Sequence, residues 1–130
     1  MDTATPIRQT AGCDIDQPGG YLRVRVGAGL ADQVQECYRA FVHECLQRGC
    51  RRSLVVGSGG SDAFNHLAVR DALRAMSVAG LPPGFRLGFV AATPQLIAVY
   101  DAAVVEAARC GIEARRFLSE ADAQRWLAEP

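Results

Sequence analysis

Two short apolar runs that do not alternate, Ser53-Leu54-Val55-Val56 and residues 85–92, most narrow what this chain can fold into. A run of that length without a period of two reads as a strand covered on both faces, and such strands belong to sheets flanked by helices. The segments around them have helical spacing. Over residues 32–48, Val34, Cys37, Tyr38, Phe41, Cys45 and Leu46 share one face, while Gln33, Gln35, Glu36, Arg39 and Gln47 fill the other. Gly49 stands where a left-handed C-cap belongs.

A second helix is predicted over 62–78, with Phe64, Leu67, Ala68, Leu73 and Met76 inward, and Gly80-Leu81-Pro82-Pro83-Gly84 ends it. Thr93-Pro94 pairs an N-cap hydroxyl with proline at the first helical position. The third helix then runs to about Cys110, with Leu96, Tyr100, Ala103, Val104 and Ala107 inward and Gly111 as its stop. Residues 112–118 form a last strand. Ser119 and Asp122 resemble a capping box opening a helix that buries Ala123, Trp126 and Leu127. Trp126 is expected to pack against the third helix and the sheet.

The N-terminal part reads as a hairpin. Gln17-Pro18-Gly19-Gly20 is a turn signal, and residues 21–26 alternate cleanly, with Leu22, Val24 and Val26 on one face and Tyr21, Arg23 and Arg25 on the other. This strand is expected at or near an edge, where Arg23 and Arg25 would discourage edge pairing. Residues 1–16 are expected to be partly disordered or to hold a short edge strand at 7–9 or 12–15. Strands alternating with helices imply right-handed crossovers. The predicted fold class is therefore α/β, one domain over residues 1–130 with a mostly parallel central sheet flanked by helices.

Charge and cysteine usage bear on function. Lys+Arg and Asp+Glu are 14 each, which speaks against a nucleic-acid or anionic-membrane partner held by bulk electrostatics. Every basic residue is arginine, so no lysine nucleophile, Schiff base or P-loop lysine is available. No apolar stretch reaches the roughly 18–20 residues of a membrane span, and residues 1–10 lack a secretory h-region, so a cytoplasmic location is expected. The five cysteines (Cys13, Cys37, Cys45, Cys50 and Cys110) contain no C-x-x-C pair, and Cys37 and Cys45 would lie roughly 12 Å apart along one helix. All five are expected to be reduced thiols, with no metal site.

In its element order, over residues 21–129, the chain resembles the STAS domain family, and more closely its SpoIIAA-like (STAS/SEC14-like) branch. The segments that carry the resemblance are Phe85-Arg86-Leu87-Gly88-Phe89-Val90, the helix bearing Tyr100, then Gly111-Ile112-Glu113-Ala114-Arg115-Arg116-Phe117 and Ser119-Glu120-Ala121-Asp122-Ala123-Gln124-Arg125-Trp126-Leu127. The resemblance implies a STAS-like fold and a non-enzymatic regulatory or protein-interaction module, with a protein partner and no cofactor. A homodimer is compatible with it. The serine that the family presents for phosphorylation would fall near Asn65-His66-Leu67-Ala68, which contains none, so that switch is not carried over.

The residues themselves point to one loop. Gly57, Ser58, Gly59, Gly60, Ser61 and Asp62 lie between a buried strand and a helix start, where open α/β sheets bind ligands and free N–H groups face outward. The spacing is neither G-x-G-x-x-G nor a P-loop. A tight turn capped by Ser61 or Asp62 is the plain alternative. The rival to an interaction module is a binding module for a small apolar or neutral ligand, or a lipid, seated between this loop and Thr93, with Ser58, Ser61 and His66 supplying hydrogen bonds. A second rival is a hydrolase-type enzyme using Asp62 and His66, four residues apart on one helix face, although no G-x-S-x-G elbow accompanies them. No residue is assigned a catalytic role. His43, Arg51-Arg52 and Arg115-Arg116 read as solvated charge.

Overall fold

A computed structural model describes residues 5–10, 12–27, 31–57 and 62–130. Its elements are β1 (Thr5–Thr10), β2 (Cys13–Gln17), β3 (Leu22–Val26), α1 (Ala31–Arg48), β4 (Arg52–Gly57), α2 (Asp62–Ala79), β5 (Arg86–Val90), α3 (Pro94–Arg109), β6 (Glu113–Phe117) and α4 (Glu120–Ala128). The six strands form one sheet in the order β1-β2-β3-β4-β5-β6. Pairing is antiparallel within β1-β2-β3 and parallel from β3 to β6. The two apolar runs are thus adjacent, parallel and central, as their patterning implies.

The helix boundaries follow local chemistry. Thr93 is extended and its hydroxyl accepts from the Leu96 amide, with Pro94 opening α3. The Ser119 hydroxyl accepts from the Asp122 amide at the start of α4. Gly49 and Gly111 close α1 and α3 at φ of 59° and 76°, where a Cβ would be strained.

Successive right-handed crossovers between neighbouring parallel strands leave their helices on one side. The alternation of burial shows this. Val24, Val55, Leu87 and Phe89 face α1, α2 and α3 in the larger core. Leu54, Val56 and Val90 face the other way, into a smaller cluster with Ala123, Trp126 and Leu127 of α4. Gly88 sits between the two strands' side chains on that second face, where a Cβ would meet Leu54 Cδ1 at 3.0 Å.

Five expectations are corrected. The strand at 21–26 is interior rather than peripheral, because both N-terminal segments are strands and β1 takes the edge. Arg23 is accordingly 7% exposed rather than solvated. It donates from Nε and Nη2 to both Asp16 carboxylate oxygens (2.8 and 2.5 Å) and from Nη1 to Glu120 (3.2 Å), which also pairs with Arg25 at 2.5 Å. The paired Asp16 carboxylate holds the Arg23 guanidinium charged, outweighing its burial.

Trp126 packs on the face of the sheet opposite α3, against Leu54, Val56 and Val90, because β6 is followed by a reversal onto the uncovered side. Arg52 is not simply solvated. Arg52 donates to the Leu127 and Gly84 carbonyls (3.0 and 2.5 Å), and Arg86 to those of Trp126 and Glu129 (3.1 and 3.0 Å). Together they add donors to the Trp126, Leu127 and Glu129 carbonyls at the end of α4, the first of which also accepts from the Glu129 amide. The Arg86 and Arg115 guanidiniums also lie 5.4 and 5.6 Å from the Trp126 ring centroid, and Arg116 pairs with Asp101 at 2.8 Å.

Cys13 and Cys37 are joined in a disulfide, with Cα atoms 5.6 Å apart. No spacing motif announces it, because β2 passes under α1 only in the folded sheet. Cys45, Cys50 and Cys110 are free. Cys45 meets the buried Ser53 hydroxyl at 3.2 Å, and burial pushes its thiol up to about 11. Finally, Leu46 and Leu67, read as core, are exposed.

Candidate functional site

The glycine-rich loop begins at the carboxyl end of β4, and its first residue has a visible reason to be glycine. A Cβ on Gly57 would come within 2.7 Å of Tyr100 Oη, 2.9 Å of Tyr100 Cε2 and 3.2 Å of Leu96 Cδ1. The close approach required at Gly57 is therefore made by the chain's own α3. Ser58, Gly59, Gly60 and Ser61 lie outside the described residues. Asp62 is the first residue of α2, and its side chain is likewise outside them. His66 lies one turn further along α2, exposed.

Beneath Gly57 two tyrosines from different helices converge. Tyr38 of α1 and Tyr100 of α3 place their hydroxyls 3.0 Å apart, both side chains buried. The Tyr100 ring stacks on Phe89 of β5, with centroids 4.9 Å apart. Burial pushes Tyr38 well above the ordinary tyrosine range and raises Tyr100 to about 12. The space under this strand end, where the small-molecule reading would begin, is occupied by aromatic side chains.

That pair has a pH signature. An acid whose folded pKa exceeds its unfolded value of 10.0 holds its proton in the native state after the unfolded chain has lost it. The stability this pair contributes is therefore full below pH 10 and falls as pH rises from 10 through about 12, by about 2–3 kcal/mol for Tyr100 alone, adding to a decline from pH 9 to about 11 that the buried Cys45 thiol causes in the same way. Denaturant midpoints measured across that range check this, with Tyr38→Phe/Tyr100→Phe expected to flatten the decline.

The open surface near the loop lies between α2 and α3. A groove of about 430 Å³ runs there, and His66 is at its margin. Val69, Val99 and Ala103 are buried along its base, while Leu67 and Val105, from facing helices, are 54% and 56% exposed. Ala102, Arg70, Glu106 and Arg109 complete the lining. Glu106 lies 3.5 Å from Arg74 and 3.7 Å from Arg109. A smaller hollow of about 270 Å³ between α1 and α2 has the exposed His43 on its rim.

Of the predicted site residues, the structure places Gly57 at the Tyr100 contact and His66 on the groove; it does not bring these two into one described site. Sequence reading missed Leu67, Arg70, Val105 and Arg109. The available signal was phase: Ala68, Val69, Leu73 and Met76 define the buried stripe of α2, and Leu67 falls to one side of it. Among the described residues, no group of His, Cys, Asp and Glu could hold a metal ion, and no helix is long and apolar enough to cross a membrane. Comparison with protein-family models, curated proteins and solved structures finds no match.

Proposed function

We propose that this chain is a STAS-like, non-enzymatic regulatory module that acts by binding a protein partner through α2 and α3. The observation that carries the reading is the groove in which Leu67 and Val105 stand exposed on facing helices above a buried apolar base. Exposed apolar residues scattered singly need no explanation, but two that share one hollow, rimmed by charge, are what an interaction surface requires. The close contact of Tyr100 with Gly57 weighs against the rival, because it accounts for that glycine without a small ligand. The element order, with its hairpin, three αβ units and closing Trp126 helix, supports the family resemblance.

The test separates the two readings by size of ligand. Amide shifts of the labelled chain are followed against the protein fraction of a cell lysate and against its protein-free ultrafiltrate. Shifts on α2 and α3 from the protein fraction, lost in Leu67→Ser/Val105→Ser, are the expected result. Shifts from the ultrafiltrate at residues 57–66, or from neither fraction, would overturn the proposal.

A further inference from the structure

We infer that the α2–α3 groove receives an amphipathic helix with acidic flanks from the protein partner; this rests on the interaction reading above and gives it a partner chemistry. The lining is apolar in the middle, where Leu67 and Val105 stand on opposite walls, and basic at the rim. Arg70, Arg74 and Arg109 are set against one carboxylate, Glu106, which is already paired with Arg74 and Arg109. Among the lining residues, Arg70 and Arg109 against Glu106 leave one positive charge in excess, and Arg74, just outside the lining, takes up part of the Glu106 carboxylate. Arg70 enters no ion pair among the described residues.

A chain that is neutral overall therefore carries a local positive rim around an apolar hollow. Arginine's planar fork takes carboxylates in bidentate pairs. A helix whose Leu-type side chains recur at i, i+3, i+4 and i+7 lays a continuous apolar stripe into such a groove, and its flanking glutamates then meet Arg70 and Arg109. Concavity favours this occupant over a membrane. An interfacial helix inserts a projecting apolar face, whereas here the apolar surface is recessed between two helices.

The probes are a fluorescein-labelled helical peptide with leucines at that spacing and glutamates on its remaining faces, and the same peptide with lysine for glutamate. Binding to the full chain is read by anisotropy, and the contact is placed by amide shifts. The glutamate peptide should bind with shifts along α2 and α3. Its affinity should fall about tenfold or more in Arg70→Glu/Arg109→Glu, and also with added salt. Leu67→Ser should weaken it as well. These are exposed positions, so the variants should keep the native amide spectrum elsewhere. Equal binding of the lysine peptide, no binding of either, or shifts away from the groove would overturn the inference. So would binding to phosphatidylserine vesicles, abolished by the same substitutions, in place of the peptide. If lysate proteins shift α2 and α3 while the glutamate peptide does not bind, the interaction reading stands and the acidic class falls.

Discussion

Replacing Trp126 by alanine should lower stability by about 3–5 kcal/mol in chemical denaturation, the cost of emptying a buried indole site that cannot fully collapse. The site is well defined. Trp126 is buried against Leu54, Val56 and Val90, its ring lies 5.6 Å from that of Phe117, and two arginines approach it. α4 is only nine residues long and would be marginal by itself, so its docking depends on this anchor. Losing the indole should also free Arg86 from a ring it covers and loosen its bonds to the Trp126 and Glu129 carbonyls. A loss below about 1 kcal/mol would mean that the helix is not docked as described.

Reduction of the Cys13–Cys37 disulfide should cost a comparable amount, about 3 kcal/mol, because the bond closes a loop with a sequence separation of 24 and constrains the unfolded chain. Denaturing the freshly prepared protein without reductant should expose three titratable thiols, those of Cys45, Cys50 and Cys110. All five should titrate after reduction. Five thiols before reduction would overturn the disulfide and return the pair to the state expected from the sequence. The denaturant midpoint should fall on reduction, and a Cys13→Ala/Cys37→Ala protein should be insensitive to reductant.

The parts of this fold that could be read in the sequence are those whose causes are local. The unalternating runs at Leu54 and Phe89 reflect burial on both faces of a strand. Thr93-Pro94 and Ser119 report helix starts because a cap needs only its own neighbours. The parts that could not be read depend on distant chain segments. Arg23 looks like surface charge until Asp16 and Glu120, residues from either end of the chain, close around it. Arg52 looks like strand-entry charge until the end of α4 arrives over it. The candidate site divides the same way. The loop at 57–61 announces itself by composition, yet Gly57 answers to Tyr100, whereas the exposed groove depends on how α2 and α3 lie side by side.

The consecutive order of the strands has a consequence for how the molecule assembles. Each pairing joins neighbouring strands in the chain, so every parallel ladder from β3 to β6 closes over a single intervening helix. Each of these parallel ladders still joins distant residues (Leu22 with Ser53, Arg52 with Arg86, Arg86 with Glu113), so loop entropy is lost before the pairing is gained and the parallel half of the sheet should form slowly. Wider still are the contacts on the second face, where Arg23 reaches Glu120 across 97 residues and Gln124 donates to the Tyr21 hydroxyl across 103. These contacts need β3 to β6 already side by side, so α4 is expected to seat late in folding and to be among the first elements to leave on unfolding.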